Sequence, residues 1–509
     1  MALSDMASAI AAYLTPTYLL TAAVLYYIIS SITTWHRLRH FPGPPLARFS
    51  YLWMISNSYS GRPADTYTRL TREHGSLVRI GPNDLVTDDP EIFRRMNGAR
   101  STYIRSSWYE ATKFNPNDDS MFTLRDTAAH DRVKAQCAAG YAGKENPSLE
   151  GGVNSQILAA VDLVRRKYVS STGGEMKPMD LAKVTQFMTL DVITEIAYGR
   201  AFGYLATDSD LHDYISTCEA AVPYLQLLGE VPWLQKAFLN RFVLGTVGPK
   251  DTDKSGIGRL MGMAKDVAST RYGPDAKDER DMLGAFVRHG LTQKQAETEV
   301  LFQITAGSDT TATVIRTTWL YTMTSPHVYN TLKREIMTAI SEGRVSSPIT
   351  FEEAKQLPYL QAVIYEGLRM NAPFTGICAK EVPAGGDTIG DVFVPAGTRI
   401  SQNFWGVLRR PDVFGRDADL FRPERWLEAD PAARDMMVKT AELAFGHGRW
   451  GCAGKNVAFL ELNKVYVEML RNFDFQIINP ERPWHSVNHQ LFMQSDFWVK
   501  VTETKAVAT

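Results

Sequence analysis

Cysteine is scarce in this chain: 509 residues carry only four, at positions 137, 218, 378 and 452, and no two of them form a CxxC pair. That excludes a disulfide framework and a thiolate zinc site, and it fits a reducing, cytosol-facing compartment. An excess of charge is missing too, since 55 Lys and Arg stand against 56 Asp and Glu for a formal net charge of −1. Nucleic-acid backbones are gripped by concentrated basic fields, so no nucleic-acid partner is expected. Internal repeats, low-complexity tracts and linkers past residue 45 are absent as well. At 44% hydrophobic and 22% charged residues the composition is that of an ordinary globular chain, neither disordered nor collagen-like. One large domain is the simplest reading.

What is present begins at the N-terminus. No charged residue occurs from Ala7 to Trp35, and Tyr18 to Trp35 is almost wholly apolar or small. A helix crosses the hydrocarbon core with roughly 20 such residues. His36-Arg37-Leu38-Arg39-His40 follows directly, whereas only Asp5 carries charge before the run, which places the downstream side in the cytosol. A cleaved signal peptide would need a basic leading region and a small-residue cleavage site, and neither is there. The sequence therefore predicts a single-pass anchor in residues 1–40, with its helix at about 17–35. Phe41-Pro42-Gly43-Pro44-Pro45 cannot continue a helix and reads as a stiff hinge to a domain spanning 41–509.

Within that domain, Gly75 to Asp89 has two short extended runs broken at Gly81-Pro82-Asn83, the pattern of a β-hairpin. Most of 150–380 has helical periodicity, with breaks at Ser171–Gly174, Gly248-Pro249 and Gly273-Pro274. Strands return from Thr388 to Ile400 around the Val394–Thr398 turn. The expected fold is mainly α, with small β-sheets at the two ends of the chain.

Chemistry-bearing residues gather in four places. Phe445-Gly-His-Gly-Arg-Trp-Gly-Cys-Ala-Gly454 sets one cysteine among four glycines just before a helical stretch, Asn456 to Arg471. Glycines allow close backbone approach to a flat partner, and a thiol at a helix N-terminus beside a cation has its anion favoured. For Cys137, Cys218 and Cys378 the expectation is the ordinary one, a small buried apolar side chain. A second place is a long apolar helix at about Thr292 to Met323, opened by a Thr292/Gln295 capping box and interrupted by Ala306-Gly-Ser-Asp-Thr-Thr311. There Asp309 and Thr310 put an acid and an alcohol beside a small-residue notch, a pairing suited to proton relay. The third, Glu366 with Arg369, lies on one helical face, and the fourth, Phe421-Arg-Pro-Glu-Arg-Trp426, offers a second arginine in Arg425.

In this order and spacing the four motifs resemble the cytochrome P-450 family of haem-thiolate monooxygenases, from about Pro42 to the C-terminus. The anchor with its proline hinge is similar to the microsomal type, and Gly75–Asp89 with Gly454-Lys-Asn456…Glu461 to fungal members. The resemblance implies Cys452 as the axial ligand of a haem b iron. It implies Phe445, Gly448, Gly454, Ala306 and Gly307 against the cofactor, Asp309 and Thr310 in proton delivery, and Glu366, Arg369 and Arg425 as a structural charge cluster. The family's arginine two residues before the cysteine is Trp450 here, with Arg449 one residue earlier. Lys380 and Lys134 likewise stand where arginines are usual. Propionate contacts are thus expected from Trp450, His130, Lys134, Lys380 and Arg449. The implied activity is insertion of one atom of O2 into a lipophilic substrate, by hydroxylation or epoxidation, in fungal secondary metabolism. Electrons would come from NADPH through a separate cytochrome reductase docking near Lys134 and Lys455, at the endoplasmic reticulum membrane. A haem-thiolate isomerase or dehydratase that does not use O2, and a non-catalytic haem sensor, remain as alternatives.

Overall fold

The computed structural model describes residues 16–171 and 173–504. Asp5, the first part of the uncharged N-terminal run and Thr172 of the expected Ser171–Gly174 break lie outside the described residues. Helix α1 (Pro16–Leu38) contains a stretch, Thr17–Leu38, long and apolar enough to cross a membrane, with mean hydropathy 1.4 and no burial against the protein across its apolar window; Leu38, at its end, is buried. Its last turn carries His36 and Arg37.

The proline stretch that follows is pinned rather than free. Leu38 and Phe41 are buried beside Leu85, Ile92 and Ile400. The Arg79 N–H donates to the Pro42 carbonyl at 2.7 Å, and a Cβ on Gly43 would lie 2.1 Å from the Arg79 carbonyl oxygen. The Arg79 guanidinium in turn donates to the carbonyls of Thr34, Arg48 and Pro82. Truncation is therefore expected to be sensitive to its end point. Removing residues 1–33 should release protein from membranes with its thermal midpoint unchanged. Removing 1–40 also deletes Leu38, and emptying a core leucine site costs about 2–5 kcal/mol. Fractionation and melting curves check this, and equal midpoints for the two truncations would contradict it.

Seven further helices frame the interior: α2 (Thr127–Tyr141), α3 (Leu149–Leu163), α4 (Leu181–Tyr198), α5 (Tyr214–Glu230), α6 (Gln293–Thr324), α7 (Pro358–Met370) and α8 (Lys455–Asn472). Helix α6 is the axle. Its 32 residues span about 48 Å at 1.5 Å per residue. It packs against α4, α7 and α8, and its apolar residues face inward on more than one side. The capping box is there as the sequence predicts: Thr292 accepts from the Gln295 N–H, and the Gln295 side chain accepts from the Thr292 N–H.

Among the described residues, twelve short strands build four sheets. They are β1 (Leu77–Gly81), β2 (Asp84–Thr87), β3 (Ile104–Arg105), β4 (Pro178–Asp180), β5 (Lys380–Glu381), β6 (Asp387–Ile389), β7 (Val392–Val394), β8 (Arg399–Gln402), β9 (Phe473–Ile477), β10 (His485–His489), β11 (Leu491–Ser495) and β12 (Trp498–Glu503). The expected hairpin is β1–β2. The sheets do not stay at the ends of the chain, however. One five-stranded sheet of order β1-β2-β8-β5-β3 joins residues 77–105 to 380–402 through a parallel β2–β8 pair. Another, β4-β12-β9, reaches into the helical stretch. The β3–β5 register sets Arg105 opposite Lys380, and this long-range pairing delivers two cations to one place.

Candidate functional site

The loop Phe445–Gly454 brings Cys452 to the threshold of α8. Its N–H donates to the Phe445 carbonyl at 2.7 Å, and the Gly446 N–H donates to Leu443 at 2.8 Å. Gly448 sits at φ +59°, where a Cβ would come 2.4 Å from the Asn97 carbonyl oxygen, so this glycine serves packing and does not line the cavity below. From behind, the Lys134 ammonium of α2 donates to the carbonyls of Arg449 and Gly451 at 2.6 and 2.8 Å. Lys134 thus holds the loop and does not face the cavity. The Cys452 thiol is accessible, but what it is accessible to is an internal cavity, so the group is enclosed by protein all the same. Enclosure raises its pKa, while the Gly454 N–H, Lys134, the Lys455 N–H and the Lys455 ammonium act the other way. These are the surroundings of a sulfur that carries negative charge once a cation is in front of it.

The cavity lies between this loop and α6 and holds about 1750 Å³ of non-atom space with its mouth included. Phe445, Gly454, Ala306 and Gly307 line it, and aromatic and aliphatic side chains such as Phe122, Phe302, Phe374, Leu225 and Leu491 supply most of the rest.

One flank is different. Arg105 and Lys380 are 3% and 0% exposed, and neither forms an ion pair among the described residues. Among the described residues Lys380 Nζ and Arg105 Nε have no hydrogen-bond partner, and the rest of the Arg105 guanidinium meets the carbonyls of Met121 and Leu124 and the Tyr109 side chain. Both sit over the Trp450 ring, Arg105 Cζ 4.0 Å and Lys380 Nζ 3.8 Å from its centre, with the His130 ring 4.3 Å away. Burial, and then the Arg105 charge, pull Lys380 well below its ordinary pKa and push His130 down to about 4. Buried cations without counter-charge are expensive, so this corner is complete only when an anion joins it. The paired carboxylates on the edge of a haem satisfy that requirement. Arg105 has no local signal in the chain: a lone arginine in Tyr103-Ile-Arg-Ser-Ser-Trp108 shows its role only once β3 pairs with β5. Arg449 points elsewhere, pairing with Asp131 at 3.2 Å and donating to the Ala99 carbonyl.

Across the cavity, Thr310 and Thr311 line the wall, and the Thr310 hydroxyl donates to the Ala306 carbonyl one turn back at 2.8 Å. Gly307 is there for close packing as well as for ligand access, because a Cβ on it would meet Ile193 of α4 at 2.9 Å. Asp309 does not line the cavity. Its carboxylate accepts from Tyr214 of α5 at 2.7 Å and from Gln186 of α4 at 2.8 Å.

Glu366, Arg369 and Arg425 come together away from the cavity. One fully buried Glu366 carboxylate accepts from Arg369 twice at 2.8 Å, from Arg425 at 3.0 Å, from the Arg422 N–H at 2.7 Å and from the Trp426 indole at 2.9 Å. Burial alone would raise its pKa, but Arg369 and Arg425 outweigh it and hold the carboxyl below the usual range. Arg369 spends its remaining donors on the carbonyls of Leu408, Ala418 and Leu420.

Comparison with known proteins agrees with this geometry. A family model described as Cytochrome P450 matches residues 42–498. A protein from Pyricularia oryzae named "Cytochrome P450 monooxygenase ABA1" is 48% identical over 493 residues, covering 95% of this chain and 96% of that one. One from Botryotinia fuckeliana named "Cytochrome P450 monooxygenase aba1" is 45% identical, covering 92% of each chain. Among solved structures, the "Crystal structure of cytochrome P450DA heme domain" aligns with a TM-score of 0.72 at 17% identity, over 91% of this chain and 98% of that one. Motif order, fold and relatives point one way: the chain belongs to the cytochrome P450 family of haem-dependent oxidoreductases.

Proposed function

We propose that this protein is a monooxygenase that inserts one atom of O2 into a bulky lipophilic substrate, by hydroxylation or epoxidation, in fungal secondary metabolism. Helix α1 anchors it in the endoplasmic reticulum membrane with the domain in the cytosol, and a separate NADPH-dependent cytochrome reductase supplies electrons. The observation that carries the reading is that the Cys452 sulfur and the Thr310 wall of α6 face one apolar cavity with a buried cationic flank. Haem b bound there supplies O2 activation, and thiolate ligation favours cleavage of the O–O bond.

The chain's own residues divide the remaining work. Cys452 holds the iron. Arg105, Lys380, His130 and Trp450 hold the carboxylate edge, with Lys134 supporting from behind the loop. Phenylalanines and aliphatic side chains exclude water and select an apolar substrate. The reductase approaches the loop from its outer side, where Lys455 is paired with Glu442 at 2.7 Å. Thr310 carries the proton relay on the cavity side. Its hydroxyl exchanges the Ala306 carbonyl for a reacting oxygen or a water without disturbing the helix.

The test is Thr310→Ala. Alanine is the better helix former, so haem content and the carbon monoxide spectrum should not change. Acid–base groups contribute roughly a hundred- to ten-thousandfold, so product formation should fall measurably while NADPH and O2 leave increasingly as hydrogen peroxide. Wild-type product yield per NADPH in Thr310→Ala would reject this role.

A further inference from the structure

Asp309 is turned away from the cavity it is expected to serve, and the residues that turn it come from two other helices. The Tyr214 hydroxyl of α5 donates to Asp309 Oδ2 at 2.7 Å and lies 3.3 Å from the Ser308 hydroxyl. On the other side the Gln186 amide donates to Oδ1 at 2.8 Å, with its own oxygen held by Arg316 at 2.5 Å. Tyr214 and Ser308 are 0% exposed, so the phenol has no solvent alternative. The Thr305 hydroxyl stands beside the same phenol and lines the cavity. Along α5, Tyr214, Cys218, Val222 and Leu225 follow the i, i+4, i+8, i+11 stripe of one face, and the last two line the cavity. The helix face that meets substrate therefore also carries the group that grips the acid.

We propose that Tyr214 is the positioning residue of Asp309: it fixes the carboxylate toward α5 and sets how readily that acid holds a proton. This rests on the reading of Asp309 as the proton-delivering acid. Burial raises the Asp309 carboxyl to about 6, and the first influence opposing burial is the Tyr214 hydrogen bond, ahead of Arg316 and Gln186. The other ionisable groups facing it are Cys218 and Glu219 on α5 and Tyr204 before it. All of these stay in place when only the phenolic oxygen is removed.

The sign follows from the donor. A hydrogen bond to the charged form favours the carboxylate, so its loss in Tyr214→Phe raises the Asp309 pKa. A step that needs the protonated acid loses rate as pH climbs through that pKa, so the variant keeps its rate to higher pH. The full-length, haem-loaded protein with NADPH-cytochrome reductase and no added substrate provides the readout, because NADPH + H⁺ + O2 → NADP⁺ + H2O2 balances without one. The wild type should lose rate above about pH 6. Tyr214→Phe should move that limb upward by about one pH unit, the worth of one hydrogen bond to a charged group. Asp309→Asn should have no such limb. An unmoved limb in Tyr214→Phe with its loss in Asp309→Asn overturns the proposal and leaves the reading of Asp309 standing. A limb that survives in Asp309→Asn overturns both. Should Tyr214→Phe bind haem poorly, the protonated-carboxyl infrared band that disappears in Asp309→Asn gives the same answer, and a midpoint equal to wild type rejects the role.

Discussion

The reduced, carbon-monoxide-treated protein should show a red-shifted Soret band, and Cys452→Ser is expected to abolish it and to take NADPH-driven turnover to background. Serine keeps the size and rotamer of cysteine, and the loop bonds Cys452 N–H to Phe445 and Lys134 to Gly451 do not use the sulfur. The loop should therefore persist while a thiolate donor becomes a neutral hydroxyl. Cys137, Cys218 and Cys378 are 0%, 6% and 6% exposed, as small apolar residues are. Cys378 is the demanding control, because it also lines the cavity. Its serine variant, like those of Cys137 and Cys218, should keep the band. Loss of the band in Cys378→Ser but not in Cys452→Ser would reassign the ligand.

Glu366→Gln should yield little haem-loaded protein at all. The substitution leaves Arg369 buried with no carboxylate and Arg425 with Asp417 alone, at 2.9 Å. Removing one partner of a buried ion pair costs about 3–5 kcal/mol, against a total stability of about 5–15 kcal/mol for a typical domain. Haem yield and the thermal midpoint should both drop, although Glu366 does not line the cavity. A soluble Glu366→Gln protein with the wild-type midpoint would mean that the cluster is satisfied in some other way.

Local patterns were legible before the fold was. The capping box of α6 needs only Thr292 and Gln295, the Glu366–Arg369 pair only its three-residue spacing, and the cysteine loop only its glycines. What the chain did not reveal depends on distant pairing or on side-chain direction. Strands of two residues have no periodicity to detect, so nothing local announces that Arg105 meets Lys380. The parallel pairing of β2 with β8 joins segments about three hundred residues apart, which no local pattern encodes. The direction of Arg449 is decided by Asp131 on α2, and that of Asp309 by Tyr214 and Gln186 on α5 and α4. Both residues were placed in the right neighbourhood by their motifs. Only packing shows that one pairs outward and the other reaches the cavity through its neighbours.

The central claim is that one oxygen atom of O2 ends in a lipophilic product. Turnover under ¹⁸O2, with NADPH, cytochrome reductase and a panel of terpenoid, polyketide and alkaloid intermediates, tests it most directly. The account predicts NADPH-dependent product bearing a single labelled oxygen, with the second label recovered in water. Product that forms without NADPH and carries no label would contradict it, and would make this cavity the site of an isomerase or dehydratase instead.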